Sequence, residues 1–318
     1  MFDVVALGEM LIDFTPVKSQ GDNYLFSPNP GGAPANLLCS LAKFGKRAAF
    51  LGKVGDDQFG HLLRKTLEDN HVSTEGMVMS KQYQTTLTFV HLNEHGDRSF
   101  RFYRNQGADT MLEPEEVCYE LIDRTKIFHF GSLTLTCNPA RKATLSALEY
   151  AKKAGKIISY DPNLRLSLWD NKQLAKEMIQ KGLDYANILK LSEEEAMFLT
   201  NCQDYMKAAQ TLMERYHNLR IILVTLGANG SLALNRHNCV SLTAYPVKAV
   251  DTTAAGDSFF GGFLYQLLEL GKPLDALQEE DLISCLSFGN ATGSLTTTKK
   301  GSIYALPDLQ EVKKLMNE

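Results

Sequence analysis

Short apolar runs alternate with amphipathic stretches along most of the chain. Val4–Leu7, Ala48–Leu51, Ile127–Phe130, Ile157–Tyr160, Ile188–Leu191 and Ile221–Thr225 read as strands. Between them, Ala33–Phe44, Phe59–His71, Pro139–Lys153, Lys172–Leu183, Glu193–Leu199 and Tyr205–Tyr216 carry helical periodicity. Strands that are apolar on both faces and separated by helices imply an α/β fold. Its central sheet should be mostly parallel and covered by helices on both faces.

Two segments break the alternation. Phe14–Pro30 lacks helical periodicity and carries the turn residues Gly21, Asp22 and Asn23. Thr85–Tyr103 is β-rich, with His95-Gly96-Asp97 as its expected hairpin turn. These excursions, at about residues 14–30 and 85–105, could pair as a small β-rich sheet over one edge of the core. A lid over a site and a plain surface hairpin both fit that description. With no repeat, low-complexity tract or linker, the expectation is a single domain spanning residues 1–318.

Composition narrows the class. The 318 residues are 44% hydrophobic and 22% charged, ordinary for a globular protein. A net charge of -4 with scattered Lys and Arg argues against a nucleic-acid partner. Six cysteines without a CxxC pair read as free thiols in a reducing compartment. The opening MFDVVALGEMLIDF has no basic flank, and no apolar run approaches the ~18 residues of a membrane helix. A cytoplasmic protein without a membrane partner is expected.

The chemistry concentrates in DTTAAGDSFF, Asp251–Phe260. A flexible turn precedes an acid and then an apolar helical run, SFFGGFLYQLLEL. Gly261 and Gly262 inside that run cost ~1 kcal/mol each relative to alanine, so close packing or a ligand should offset them. Asp257 could simply cap the helix. It could also be a general base beside an anion hole made by the N–H groups of Ala254, Ala255 and Gly256, as phosphoryl transfer to a hydroxyl requires.

Four further stretches offer partners. GGAPAN, Gly31–Asn36, lets backbone approach a ligand at Gly31 and Gly32, while Asn36 donates and accepts. With Asp13, which follows the first strand, it suits a neutral polyol. Lys190-Leu-Ser192-Glu-Glu-Glu195 matches a capping box, and would also place Glu195 near a hydrated Mg²⁺ at a strand end. Val224–Leu234 is a strand–turn–strand against which a nucleotide could lie, or a simple hairpin. YDPNLR puts Asp161, Asn163 and Arg165 directly after a strand, where Arg165 could hold a phosphate or sugar hydroxyls. There is no GxxxxGK[ST] and no GxGxxG after the first strand, which disfavours a Walker-type loop and a dinucleotide dehydrogenase.

In this order the motifs resemble the ribokinase/PfkB family of carbohydrate kinases. GGAPANLLCSLAKFG with GKVGDDQFG is similar to its N-terminal signature and DTTAAGDSFFGGFL to its C-terminal one. The resemblance runs from Val4 to TKKGSIYALP. It implies a ribokinase-like fold with a β-rich lid, and Asp257 as catalytic base with Ala255 and Gly256 as anion hole. It also implies sugar contacts at Asp13, Gly32 and Asn36, and Glu195 linked through water to Mg²⁺. Thr225 and Gly227 match the nucleotide-side turn, Asn290 a residue near adenine, and Asp251 with Thr253 a site for a monovalent cation such as K⁺. Phe100–Asp109 and YDPNLRLSLW are similar to fructokinases, which turns Phe102, Arg104 and Arg165 toward the sugar or its reacting end. ATP and a ketohexose are then the expected ligands, and a homodimer through the lid the expected assembly.

Kinases for 2-keto-3-deoxygluconate or for nucleosides are the neighbouring alternatives, and a non-catalytic sugar or nucleotide sensor is the alternative from another class. Two positions depart from the family pattern. Ala254 stands where the first glycine of Gly-Ala-Gly-Asp is usual, and Ser192 where asparagine is.

Overall fold

The computed structural model describes residues 1–17, 25–92 and 98–317. The turn residues Gly21–Asn23 and His95–Asp97 lie outside this set. The chain opens with strand β1 (Phe2–Leu7), passes through β2 (Leu11–Val17) and β3 (Leu25–Gly31), and enters helix α1 (Ala33–Lys43). It continues through β4 (Ala48–Gly55), α2 (Gln58–Asp69), β5 (Val72–Ser80), β6 (Leu87–Leu92) and β7 (Arg98–Tyr103). The middle alternates α3 (Tyr119–Asp123), β8 (Thr125–Gly131), α4 (Ala140–Lys153), β9 (Ile157–Asp161), α5 (Lys172–Leu183) and β10 (Ile188–Ser192). Then come α6 (Glu193–Thr200), α7 (Tyr205–Arg215), β11 (Ile221–Thr225), β12 (Ser231–Leu234) and β13 (Cys239–Leu242). Three helices close the chain: α8 (Ala255–Leu270), α9 (Glu279–Thr296) and α10 (Leu309–Asn317).

Among the described residues, nine strands form one sheet in the order β13-β12-β11-β10-β9-β8-β1-β4-β5. Pairing is parallel from β5 through β11, and β12 and β13 add antiparallel at one edge. Side-chain alternation explains the two helical layers. Val4 and Ala6 of β1 join the core beneath α1, α8 and α9, with Leu38, Phe260 and Phe263. Val5 and Leu7 face the opposite core, with Phe128, Tyr160 and Leu189.

A second sheet has the order β3-β2-β6-β7. The two excursions therefore pair with each other, as the parallel register Asp13↔Thr88 shows. The sheet reaches back to Leu11, beyond the Phe14 boundary read from sequence, because β2 begins almost as soon as β1 ends. Phe14 stacks on Phe89 at 4.9 Å and meets Phe59 edge-on at 5.7 Å, which anchors the small sheet to α2. All six cysteines are free, and among the described residues no helix is long and apolar enough to cross a membrane.

The helical glycines resolve as close packing. A Cβ on Gly261 would meet Ser40 of α1 at 2.9 Å, and one on Gly262 would meet Thr292 Oγ1 of α9 at 2.5 Å. Helix α8 is wedged between α1 and α9 at distances only glycine permits.

Candidate active site

Helix α8 begins in strained backbone. Ala254, at the N-cap, has φ 60°, in the left-handed region that costs a Cβ-bearing residue about 1 kcal/mol. That turn delivers Gly256 and Asp257 into the first helical turn, where N–H groups have no intrahelical acceptor. The expected trio of free donors is corrected at one position: the N–H of Ala255 donates to Thr252 O at 3.3 Å. Gly256 and Asp257 keep theirs uncommitted among the described residues.

Two cavities meet at this helix start. One, of about 380 Å³, is lined by Asp257, Asn36, Asp13 and Arg165, with Phe102 of β7 and Gly32 closing it. The other, of about 430 Å³, lies between the β11–β12 turn, the segment after β13, and helices α8 and α9. Thr225, Gly227, Ala255 and Asn290 line it, and its apolar wall includes Tyr245, Pro246, Val247 and Phe259. Thr252 and Gly256 belong to both.

In the first cavity Asp257 is 9% exposed, and its Oδ2 accepts a hydrogen bond from Asn36 Nδ2 at 2.8 Å. Burial raises its pKa above the ordinary carboxylate value, against the opposing pull of Asn36, Lys190 and Arg165. Asp13 is pushed up to about 7, mainly by burial and partly by Asp257, with Arg165 opposing. Gly32 has φ 124° and its Cα lies where a Cβ would stand 2.4 Å from Glu9 O, so only glycine brings this turn so near the strand.

Lys190 is the buried cation of the site. Its Nζ donates to Asp161 Oδ2 at 2.9 Å and would stand 3.0 Å from a Cβ on Gly256. Burial alone would lower its pKa, but Asp161, Glu195 and Asp257 outweigh this and hold it above the ordinary value. A third depression, of about 480 Å³, adjoins through Asn163, Arg165 and Lys190 and reaches Ser192 and Glu195.

At β10 the capping box is real. Ser192 Oγ accepts from Glu195 N at 3.2 Å, and Glu195 Oε2 accepts from Ser192 N at 2.7 Å. Glu195 Oε1 also accepts from Leu164 N at 2.6 Å. Asp251 is similarly engaged: its carboxylate accepts from Thr253 N at 2.8 Å and from Gly301 N at 3.2 Å. Thr253 lines the first cavity, whereas Asp251 does not.

Some sequence expectations require correction. Arg104 does not line the cavity: it is buried behind the wall, with Nε on Asp109 Oδ2 at 2.7 Å and further bonds to Thr136 Oγ1 and Leu133 O at 3.0 Å. A guanidinium so engaged pins the base of the small sheet to the loop carrying Leu133. Gly31 also stands outside the lining and abuts Asp13, whose Oδ2 would lie 2.8 Å from its Cβ. Asn290, by contrast, keeps a place on the second cavity. Its amide accepts from Ser231 Oγ at 2.6 Å and donates to Thr243 O at 3.2 Å, which braces that wall.

Two features escaped the sequence reading. Glu9, 2% exposed, lines the first cavity and is pushed up to about 7 by burial. Its one visible signal was an acid inside the apolar run VVALGEMLI. The Ala244–Val247 wall of the second cavity carries no periodicity or motif.

The pfkB family carbohydrate kinase model matches residues 1–309. Probable fructokinase-4 of Arabidopsis thaliana is 44% identical over 316 residues, covering 98% of this chain and 96% of that protein. The structure of a fructokinase from Xylella fastidiosa with bound ATP superposes with a TM-score of 0.91 at 32% identity, covering 100% of this chain and 99% of that one. A double-mutant fructokinase of Vibrio cholerae O395, in its fructose-, ADP- and potassium-bound form, gives 0.88 at 30% identity and covers 99% and 98%. The chain belongs to the pfkB family of carbohydrate kinases, and the small β3-β2-β6-β7 sheet is the lid of a ribokinase-like fold.

Proposed function

We propose that this protein is a fructokinase, a phosphotransferase that moves the γ-phosphoryl group of ATP to a primary hydroxyl of fructose. One observation carries the reading: a polar cavity and an apolar-walled cavity share Thr252 and Gly256, and Asp257 stands one residue beyond that shared point. The apolar wall suits a flat heteroaromatic base, and the carboxylates and amide of the other cavity suit a neutral polyol. The names of the relatives, fructokinases of plants and bacteria, agree with both assignments.

On this reading the sugar lies against Asp13, Gly32, Asn36, Phe102 and Arg165. ATP occupies the second cavity with its phosphates toward Gly256. Asp257 takes the proton of the attacking hydroxyl, which then displaces ADP in line. Charge gathering on the transferring oxygens meets the N–H of Gly256, the start of α8 and the Lys190 ammonium. Closure of the lid excludes water as a competing acceptor.

Mg²⁺ would come with the nucleotide. The residues fit an outer-sphere role: both oxygens of Glu195 already accept a backbone N–H, leaving lone pairs for a metal-bound water. Among the described residues no group of three His, Cys, Asp or Glu side chains could hold a metal by itself. Bound there, Mg²⁺ would neutralise charge on the phosphate oxygens. A monovalent cation would be held beside Asp251 and Thr253. We also read residues 1–318 as a single kinase domain that dimerises through the lid. Val17, Leu25 and Tyr103, exposed by 44%, 47% and 62%, all lie on that sheet.

The test is ADP release from Mg-ATP with fructose, ribose, glucose, 2-keto-3-deoxygluconate or adenosine, with and without K⁺. Fructose-dependent release is expected. Release with the keto-acid alone would replace the sugar while keeping the mechanism, and no release with any acceptor would overturn the kinase reading.

A further inference from the structure

The first cavity has a polar wall that the mechanism above leaves unused. Glu9 leaves the end of β1, and its Oε1 accepts the N–H of Ala33 in the first turn of α1 at 3.0 Å. That bond fixes the carboxyl plane. The other oxygen, Oε2, is buried and has no partner among the described residues. Asn36 Oδ1, in the same wall, is in the same condition. Buried acceptors without donors are costly, by about 1–3 kcal/mol each in protein interiors. A wall with two of them beside open cavity is set up for a ligand rich in hydroxyl donors.

Glu9 and Asp13 stand among different charges. The charges acting most strongly on Glu9 are those of Arg104 and Asp109, at the base of the lid. Those acting on Asp13 are Arg165 and Asp257.

We infer that Glu9 is a specificity-determining residue whose Oε2 accepts a hydrogen bond from a sugar hydroxyl. The inference rests on the sugar-kinase reading and extends it to the substrate class. A neutral polyhydroxyl sugar satisfies the orphan oxygen. A sugar lacking that hydroxyl leaves it unpaired, and a sugar acid brings a carboxylate toward Glu9 and Asp13 together.

The experiment measures kcat and KM for fructose, for a set of monodeoxy fructose analogues and for 2-keto-3-deoxygluconate, in wild type, Glu9→Gln and Glu9→Asp. In wild type one analogue should lose about 10- to 100-fold in kcat/KM, the size expected when a buried acceptor is left unpaired. Glu9→Gln keeps an oxygen for Ala33 and should raise the fructose KM by a similar factor. Its ATP KM should stay within about twofold, since Glu9 does not line the nucleotide cavity. The decisive readout is the coupling: the analogue that suffers in wild type should lose less than about threefold in the variant, because the acceptor facing that hydroxyl has become an amide donor. A residue that only supported the fold would slow every analogue equally.

An unchanged fructose KM in Glu9→Gln, or an undiminished penalty for that analogue, overturns the inference. Should Glu9→Gln fail to fold, Glu9→Asp must show the same selective loss. Should both fail, the wild-type panel decides, and the absence of any tenfold-impaired analogue overturns it. Wild type that turns over no sugar overturns the kinase reading instead, so the two failures are distinguishable.

Discussion

Asn36 Nδ2 lies 2.8 Å from Asp257 Oδ2, although 221 positions separate the two residues. The bond orients the proposed base and lowers its pKa, while burial raises it. The base must be ionised, so turnover is lost as pH falls through its folded pKa. Asn36→Ala removes a lowering contribution and should move the acid limb of the kcat profile to higher pH. At neutral pH turnover should fall by about tenfold or more. A profile whose acid limb does not move, measured from pH 4.5 to 8.5, would rule the relationship out as a pKa control.

Asp257→Asn leaves the size and the Asn36 neighbourhood nearly intact but removes the acceptor for the hydroxyl proton. Turnover should drop by about 10²–10⁴ while the KM for sugar and for ATP stay within about threefold. Steady-state kinetics with calorimetric binding of both ligands decide it. Turnover within tenfold of wild type would sink the base assignment.

Lys190 and Asp161 form a buried pair with side chains only 7% and 3% exposed. Breaking such a pair leaves a buried charge and costs about 3–5 kcal/mol, whereas removing both charges costs far less. Lys190→Met should therefore unfold at much lower denaturant than wild type, and Lys190→Met/Asp161→Asn should recover most of the loss. Turnover should not recover, because the ammonium beside Gly256 remains absent. A double variant that regains activity along with stability would remove Lys190 from the phosphoryl site.

Ala254 holds the left-handed φ of 60° where glycine would be unstrained. Ala254→Gly should gain about 1 kcal/mol, or about 2 °C in melting temperature for a chain of this size. Ala254 already holds the left-handed turn that glycine would adopt there, so kcat should change by less than about twofold. Activity appearing only in the variant would show that the alanine had been disabling the anion hole.

Gly262→Ala tests the wedge. Its Cβ would stand 2.5 Å from Thr292 Oγ1, and that hydroxyl is already donating to Phe288 O at 2.8 Å, so it has no slack. Overpacking of this kind costs about 1–3 kcal/mol, and chemical denaturation should register it. A neutral effect would mean that α8 and α9 can separate freely.

The legible part of this protein follows from its periodicity. Lys172–Leu183 and Ile221–Thr225 occur where hydrophobic spacing alone puts them, because strands buried on both faces and amphipathic helices leave strong signals. The glycine turn at Gly32 is also readable, since it opens α1 with a φ that favours glycine. Arg104 lies away from its expected place because sequence cannot say that a residue just past β7 turns back to an acid five positions later. Glu9 was hidden because a single acid in an apolar run looks like any strand end until α1 folds against it. The Ala244–Val247 wall had no signal at all, being positioned by Asn290 from a helix far along the chain.

The lid strands carry Leu11, Asp13 and Phe102 to the polar cavity and contribute nothing to the lining of the apolar one. On the proposed assignment, donor and acceptor recognition sit on separate parts of the chain, joined at Thr252 and Gly256. A lineage can exchange its lid residues and acquire a new sugar without relearning ATP, much as a tool changes its bit while keeping its handle. The same separation tells an engineer where to vary: β2 and β7 for the acceptor, the segment after β13 for the nucleotide, and the start of α8 for neither.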